Sequence, residues 1–397
     1  MPDAATRVPV LVFGTGLTVL GAMRLLHRTG TPFRVVGDGG ELASRSRWFR
    51  TAPPSTTAAD PARDLPAYLS GLPYERAVLL PCSDAWVLRV ARAVPHVAPR
   101  FVASVATPDT LERLLDKWHL AEVLRELGLP HPRTVAIDTS ADPERVPADV
   151  LAGAFLKPRD SLSFFARFGV KAFRVSSRAE LRACLARVAG TGLEVQLQEY
   201  VPGPPTNHYF VDGFVDRTGR MGIQARQRVR MYPPDFGNST SFESIAPADI
   251  QPAVDVMTRL LGHLGYRGVF SAEFKRDARD AVFRLIEVNV RPWWYVEFAG
   301  RGGMDVTAMA VRDALGEPVP VARPSTAGRR CVYPYYDFFA CRDGVRSGTL
   351  TRAQWLRSWA TSEQPVFRWS DPWPAVSATA AILLGRLRRV AGGRAHP

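Results

Sequence analysis

The densest chemistry in the chain lies in one short run, Ile286-Glu287-Val288-Asn289-Val290-Arg291. On a β-strand alternate side chains share a face, so Glu287, Asn289 and Arg291 point the same way. A carboxylate, an amide and a guanidinium in one row suit neither a core nor an ordinary solvent face. They suit a phosphate site: hard oxygen ligands for Mg²⁺, then a cation for a transferred phosphoryl group. The preceding apolar run, Ser271-Ala272-Glu273-Phe274-Lys275, carries a second carboxylate. A turn over 276–281 would set Glu273 beside Glu287, the pair that a magnesium ion bridging β- and γ-phosphates requires. The competing reading is a surface hairpin with alternating charges.

Upstream, Phe155-Leu156-Lys157-Pro158 puts a lysine at the end of an apolar strand. Residues 159–169 follow with turn residues at both ends, and are expected to fold over phosphates through backbone amides and Ser161. Gln198-Glu199-Tyr200-Val201-Pro202-Gly203 ends a later strand and turns, where backbone groups can read a purine. Arg226, Arg228 and Arg230 alternate and are expected to share a face that holds a carboxylate; a solvated basic strand is the alternative. Trp293-Trp294-Tyr295 reads as core rather than as a pocket wall, and Ser83-Asp84 as a helix cap or a cleft residue. Of 51 basic residues only four are lysines, namely Lys117, Lys157, Lys171 and Lys275. Where arginine is so strongly favoured, each remaining lysine is a candidate for chemistry that a guanidinium cannot replace.

The elements that must position these residues fall into an α/β part and an α+β part. Residues 8–13, 33–36 and 77–80 read as buried strands separated by helical segments, the mark of a parallel, doubly wound sheet over the first hundred residues. Gly14-Thr15-Gly16 opens the first helix, but Val19 stands where a dinucleotide fingerprint has its third glycine, and only Asp38 is available after the second strand. A tight turn is the better reading. Residues 108–127 read as a single helix with a continuous apolar stripe. Strands follow at 155–157, 173–175, 195–199, 209–215, 221–228, 269–274 and 283–289, with a helix over 179–188. Beyond residue 320 the pattern loosens into an Arg- and Trp-rich segment with one helix over 376–390, expected to dock on the body, with an anionic membrane surface as the alternative.

Lys117 in a helix, Leu-Lys157-Pro, Gln-Glu199-Tyr-Val-Pro-Gly, Glu273 and Glu287-Val-Asn289-Val-Arg291, in that order, resemble the ATP-grasp superfamily, which includes biotin carboxylase and D-alanine–D-alanine ligase. The pattern K-P-x-x-S-x-x-F-x-x-x-F-G-x-K from Lys157 to Lys171, and Tyr232-Pro-Pro-Asp-Phe-Gly237, are similar to a branch of carboxylate–amine ligases that includes D-aspartate-ligase-like proteins. The resemblance implies a Rossmann-like pre-ATP-grasp domain at 1–106 and an ATP-grasp domain at 107–320, divided near 197/198, followed by a helical extension at 321–397. It implies Mg-ATP as cofactor, with Lys117 and Lys157 on the α- and β-phosphates. Gln198 and Val201 would hold adenine, with Glu199 and Tyr200 alongside. Asn207 or His208 would stand where the superfamily has a ribose-binding acid. Glu273, Glu287 and Asn289 would hold magnesium. Arg291 would steady the γ-phosphate and an acyl phosphate. The implied reaction joins a carboxylic acid to an amine through that acyl phosphate. A non-catalytic ATP-binding module and an ATP-dependent carboxylase or phosphotransferase are the alternatives.

Composition bounds the rest. The net charge is +13, and residues 321–397 hold twelve arginines against four acidic residues. No stretch there interleaves basic and aromatic residues as nucleic-acid modules do, so specific nucleic-acid binding is not expected. The partners expected are small acids and amines, amino acids or similar. Four scattered cysteines and no secretory signal point to a cytoplasmic setting. Oligomeric state is left open, a homo-oligomer being allowed.

Overall fold

The computed structural model describes residues 8–138, 142–151, 153–159, 161–234, 237–322 and 326–392. Three sheets organise them. The first is parallel, in the order β2-β1-β3-β4, from β1 (Val10–Phe13), β2 (Phe33–Val36), β3 (Ala77–Pro81) and β4 (Phe101–Val102). Every residue of β1 and β3 is buried, which is why these strands read as unbroken apolar runs rather than as alternation. Helices α1 (Gly16–Arg28), α2 (Gly40–Ala43), α3 (Leu65–Ser70) and α4 (Asp84–Val97) cover the sheet. Gly14 sits at φ 131°, and a Cβ there would meet Cys82 Cβ at 3.2 Å. The glycine is thus explained by the close approach of two strand ends.

The helix expected over 108–127 is two helices, α5 (Pro108–Leu115) and α6 (Lys117–Glu126). Asp116 between them is extended, and its carboxylate accepts from the backbone N–H groups of Trp118 and His119. The continuous apolar stripe concealed the break, since both helices bury the same face. Their apolar faces pack with the large sheet, while Asp116 between them meets Arg159, which follows a strand of the small sheet, at 2.5 Å.

The small sheet is antiparallel, in the order β5-β8-β6-β7, from β5 (Thr134–Ile137), β6 (Ala154–Pro158), β7 (Phe173–Val175) and β8 (Val195–Gln198). Helices α7 (Ala148–Leu151), α8 (Ser161–Phe168) and α9 (Arg178–Val188) complete this layer. The segment expected to be a phosphate loop is therefore the helix α8. Phe164 is fully buried against Phe168 and Phe173, while Phe165 is exposed. The spacing of these rings anchors a helix, and no glycine interrupts it.

The large sheet runs β13-β12-β9-β10-β11-β14 and is antiparallel throughout, from β9 (His208–Val215), β10 (Met221–Tyr232), β11 (Asn238–Ile245), β12 (Gly268–Arg276), β13 (Phe283–Asn289) and β14 (Arg330–Val332). One face packs on α10 (Gln251–His263), α5 and α6. Helices α11 (Val296–Arg301) and α12 (Val306–Leu315) join this unit to α1 in a second continuous core.

The segment after residue 320 is more structured than its sequence suggests. Strand β14 extends the large sheet, and α13 (Pro334–Arg346), α14 (Arg352–Ala360) and α15 (Trp373–Gly392) follow. Two buried ionic nodes fix it. Asp371, fully buried, accepts from Arg24 and Ser46 of the first unit, and Arg24 also meets Glu297 at 3.2 Å. Asp337, also fully buried, meets Arg230 at 2.8 Å and accepts from Thr240 and Trp359. The helix expected over 376–390 lies within α15, and the Tyr335 hydroxyl donates to the Ala375 carbonyl. Val376, Ile382 and Leu384 on that helix remain exposed. No helix among the described residues is long and apolar enough to cross a membrane.

Candidate active site

A cavity of about 670 Å³ lies over the open face of the large sheet, between it and the small sheet. That volume is in the range of small-ligand and cofactor sites. All four lysines of the chain line it.

Strand register arranges its floor. Across β10, β9, β12 and β13, one row is Gln224, Asp212, Ser271 and Asn289, and the next is Arg226, Phe210, Glu273 and Glu287. His208 and Lys275 pair in the row after that. Side chains directly opposite on adjacent strands share a face, so Glu273 stands beside Glu287, with Asn289 one row on. Among the described residues no group of three or more His, Cys, Asp and Glu could hold a metal. The donor set is two carboxylates and an amide, which suits a cation that takes only one or two protein carboxylates and completes its shell with phosphate and water.

The two carboxylates differ in environment. Burial pushes Glu273 up, but the Arg228 guanidinium and His208 outweigh it and hold the carboxyl well below the usual range. Arg228 meets it at 2.9 Å and His208 Nδ1 at 2.6 Å. Burial lowers His208 in turn, against the pull of Glu273. Glu287 opens to the cavity yet is ringed by protein, and burial followed by the Glu273 charge raises it. Lys117 and Lys157 oppose that rise.

The lysines sit at the small-sheet side. Lys117 opens α6 and donates to the Pro158 carbonyl at 3.4 Å. Lys157 on β6 donates to Gln198 Oε1. Burial, then the neighbouring Lys117, lower Lys157 to about 8. Lys275 lies 4.6 Å from the Tyr200 ring. Lys171 reaches across from the small sheet to Asn238 Oδ1 at 3.0 Å.

Other expected residues fare differently. Tyr200 and the buried Val201 line the cavity. Glu199 also lines it, but its carboxylate is engaged by Arg279 and the Arg133 N–H, and its own N–H donates to the Arg133 carbonyl at 2.9 Å. Asn207 is not among the lining residues: its amide donates to the Arg276 carbonyl at 2.9 Å, and His208 takes the place on the wall. Ser161 begins α8, and its side chain lies outside the described ones, as do Asp160, Asp235 and Phe236. Arg291 is tied to Asp84 of the first unit at 3.1 Å and to Asn289 Oδ1 at 3.1 Å. Asp84 is the first residue of a helix capped by Ser83; it does not line the cavity itself and bears on it through Arg291. Arg226 lines the cavity, buried, and pairs with Asp212 at 2.6 Å. Arg230 does not share its face, because the β10–β11 register shifts between Arg228 and Arg230 and turns Arg230 to Asp337. Trp293 and Tyr295 are core residues, and they line the cavity as well.

Sequence reasoning missed Asp212 and the wall supplied by Tyr333 and Tyr336 of the extension. It flagged Lys171 and Lys275 through their rarity without giving them a place.

The two antiparallel sheets with a cavity between them, preceded by a parallel sheet, have an ATP-grasp fold. No family model matches the chain. It is 22% identical over 249 residues to a D-aspartate ligase of Enterococcus faecium (strain Aus0004), a match covering 61% of this chain and 59% of that protein. The chain thus matches a little under two thirds of its curated relative's length. Among solved structures, a carboxyaminoimidazole ribonucleotide synthase from Aspergillus clavatus, complexed with ATP, aligns with a TM-score of 0.61 at 14% identity over 81% of this chain and 80% of that one. A biotin carboxylase from Campylobacter jejuni gives 0.60 at 16% identity over 83% and 75%. An L-amino acid ligase from Bacillus licheniformis gives 0.57 at 16% identity over 78% and 74%.

Proposed function

We propose that this chain is an ATP-dependent carboxylate–amine ligase. The observation that carries the reading is the row of Glu287 and Asn289 beside Glu273, with Arg291 beyond it and Lys117 and Lys157 across the same cavity. The D-aspartate ligase resemblance and the fold shared with an ATP-bound synthase support it.

In this reading Lys117 and Lys157 bind the α- and β-phosphates, and the 198–201 segment holds the adenine through its backbone. Glu287, Asn289 and Glu273 would hold magnesium, which would supply charge to screen the phosphate oxygens. A substrate carboxylate oxygen attacks the γ-phosphorus as its bond to the β-phosphate oxygen breaks, releasing ADP. Arg291 neutralises the acyl phosphate so formed, and Arg226 holds the acid. An amine then attacks the acyl carbon, phosphate leaves, and the nitrogen sheds a proton to give an amide. Positioning and charge neutralisation supply most of the rate, so no nucleophilic side chain is needed. The free cysteines fit a reducing cytoplasm, where such a reaction would find its ATP.

The test is incubation with Mg-ATP, hydroxylamine and pooled amino acids and small acids, reading hydroxamates by mass. Hydroxylamine traps an acyl phosphate whatever the natural amine. A hydroxamate that disappears in Glu287→Gln, with ATP binding retained, is the expected result. Bound ATP with no hydroxamate from any acid would instead favour a nucleotide-sensing module.

A further inference from the structure

A second cavity, of about 460 Å³, lies at the end of the small sheet where β5 stops and β8 begins. That volume also suits a small ligand. The two cavities are neighbours along three elements. On α6, Lys117 lines the first and Trp118 the second; at the end of β6, Lys157 lines the first and Arg159 the second. On β8, Gln198 lines the first and Gln196 the second.

Gln196 distinguishes this cavity from a mere crevice. It stands in the middle of the sheet, opposite Ala136 on β5 and Lys157 on β6. It is 1% exposed, and neither Nε2 nor Oε1 has a hydrogen-bond partner among the described residues. An amide buried with both its donor and its acceptor unmade is costly. Its neighbours in the sheet do not relieve it: Ala136 has no polar side chain, and Lys157 donates to Gln198. A ligand that presents an acceptor beside a donor satisfies both groups at once. A carboxamide pairs in this way with the edge of a nucleobase, as Gln does with adenine. Half-buried Trp118 adds an aromatic ring to the wall, and bases stack on such rings. Charge sets the rest. Arg159 is the one cation among the described residues that line the cavity, and Asp116 at 2.5 Å and Glu194 at 2.6 Å already hold it. Exposed Asp138 on the rim adds a further carboxylate, so the surroundings do not favour an anion. We propose that this second cavity binds a neutral, flat heterocycle with a donor and an acceptor side by side, such as a nucleobase or a ring carboxamide. Gln196 reads its edge and Trp118 stacks on its face. The site lies beyond the ligase reading and does not depend on it.

The experiment is calorimetric titration of adenosine, cytidine, guanosine, uridine and nicotinamide into the full chain saturated with ADP, which keeps the first cavity filled. At least one of the five is expected to bind with a Kd of about 1 mM or tighter. Gln196→Leu keeps the bulk of the side chain and removes both unmade groups. It should weaken that ligand about tenfold or more, with the Kd for ADP unchanged within about twofold. Without ligand the same variant should melt no lower than the parent, because the groups it deletes make no bonds in the free protein. Binding that survives Gln196→Leu, or none from any of the five compounds, would overturn the inference. So would a variant that melts several degrees lower, since its amide would then be partnered within the fold. Failure of the parent chain to bind ADP would instead count against the ligase reading, and the same titration on the free protein would then decide the second site.

Discussion

Lys157 and Lys117 face the same phosphate-sized space, and their mutual repulsion, added to burial, brings Lys157 to about 8. A lysine so placed is poised for an anion: bound phosphate restores the charge that burial discourages. The sign follows. Nucleotide binds the ammonium form, so the free protein loses affinity as pH rises through about 8, by up to roughly tenfold per pH unit until the bound form also titrates. The Kd for ATP measured from pH 6.5 to 9.5 should be flat below the inflection and rise above it. Lys157→Arg should remove the inflection, since a guanidinium stays charged throughout. An unchanged inflection in that variant would assign the titration elsewhere. At this scale the sequence was most legible. Glu287, Asn289 and Arg291 announced themselves by alternation, and the scarcity of lysine singled out four positions that all line one cavity. The partners of those residues were not legible. Asp212 under Arg226 and His208 on Glu273 are juxtapositions of strand register, which no local pattern encodes.

Elements with a strong periodic signal were readable, and those held by polar contacts were not. Strand β11 carries Ser239, Thr240, Ser241 and Ser244, all buried, around one aromatic core residue, Phe242. Hydroxyls that find partners inside a sheet leave no apolar alternation. The α5–α6 break was hidden for the opposite reason, an apolar stripe that continues through it. The extension hid its strand and two of its helices behind arginine, because its anchors are ions rather than an apolar face. Asp337 is the anchor that bears on the site: it sits on α13, next to Tyr336, and holds Arg230 of β10, Thr240 and Trp359. Asp337→Asn leaves Arg230 without its counter-charge, at a cost of about 3 kcal/mol or more. The variant should melt earlier in calorimetry. It should also show a raised KM for the acid with the KM for ATP little changed, because the Tyr333–Tyr336 wall loosens at the end remote from Lys157. Equal loss in both constants would mean a general loss of structure.

The cavity belongs to no single unit of the chain. Leu17 comes from the first unit, Lys157 from the small sheet, Glu273, Glu287 and Asn289 from the large sheet and Tyr333 from the extension. Placement of the reactive groups therefore depends on how the units are joined, and three of the joints made by the first unit bear on it. Leu25 of α1 packs so closely on α11 that a Cβ on Gly300 would lie 2.4 Å from it. Arg24 reaches Asp371 and Glu297 at once. Asp84 holds Arg291, and it alone of the three touches a residue assigned to the reacting phosphoryl group. The first unit in this fold thus does more than cover one side of the cavity. It fixes the direction of the guanidinium on which the acyl phosphate would rest, from the C-terminal edge of a parallel sheet, where such sheets present their functional residues. Removing that tether should cost rate rather than nucleotide binding, since Lys117, Lys157 and the 198–201 segment are untouched. Asp84→Ala keeps the Ser83 cap and the α4 register, so folding should survive. Its kcat for hydroxamate formation is expected to fall by ten- to a hundredfold, the penalty for a charge misplaced by about 1 Å, while the Kd for ATP stays within about twofold. If kcat holds, Arg291 is oriented by Asn289 alone and the first unit has no part in the chemistry. If nucleotide affinity falls in step with kcat, the Asp84–Arg291 pair is a structural joint whose loss disturbs the whole cavity.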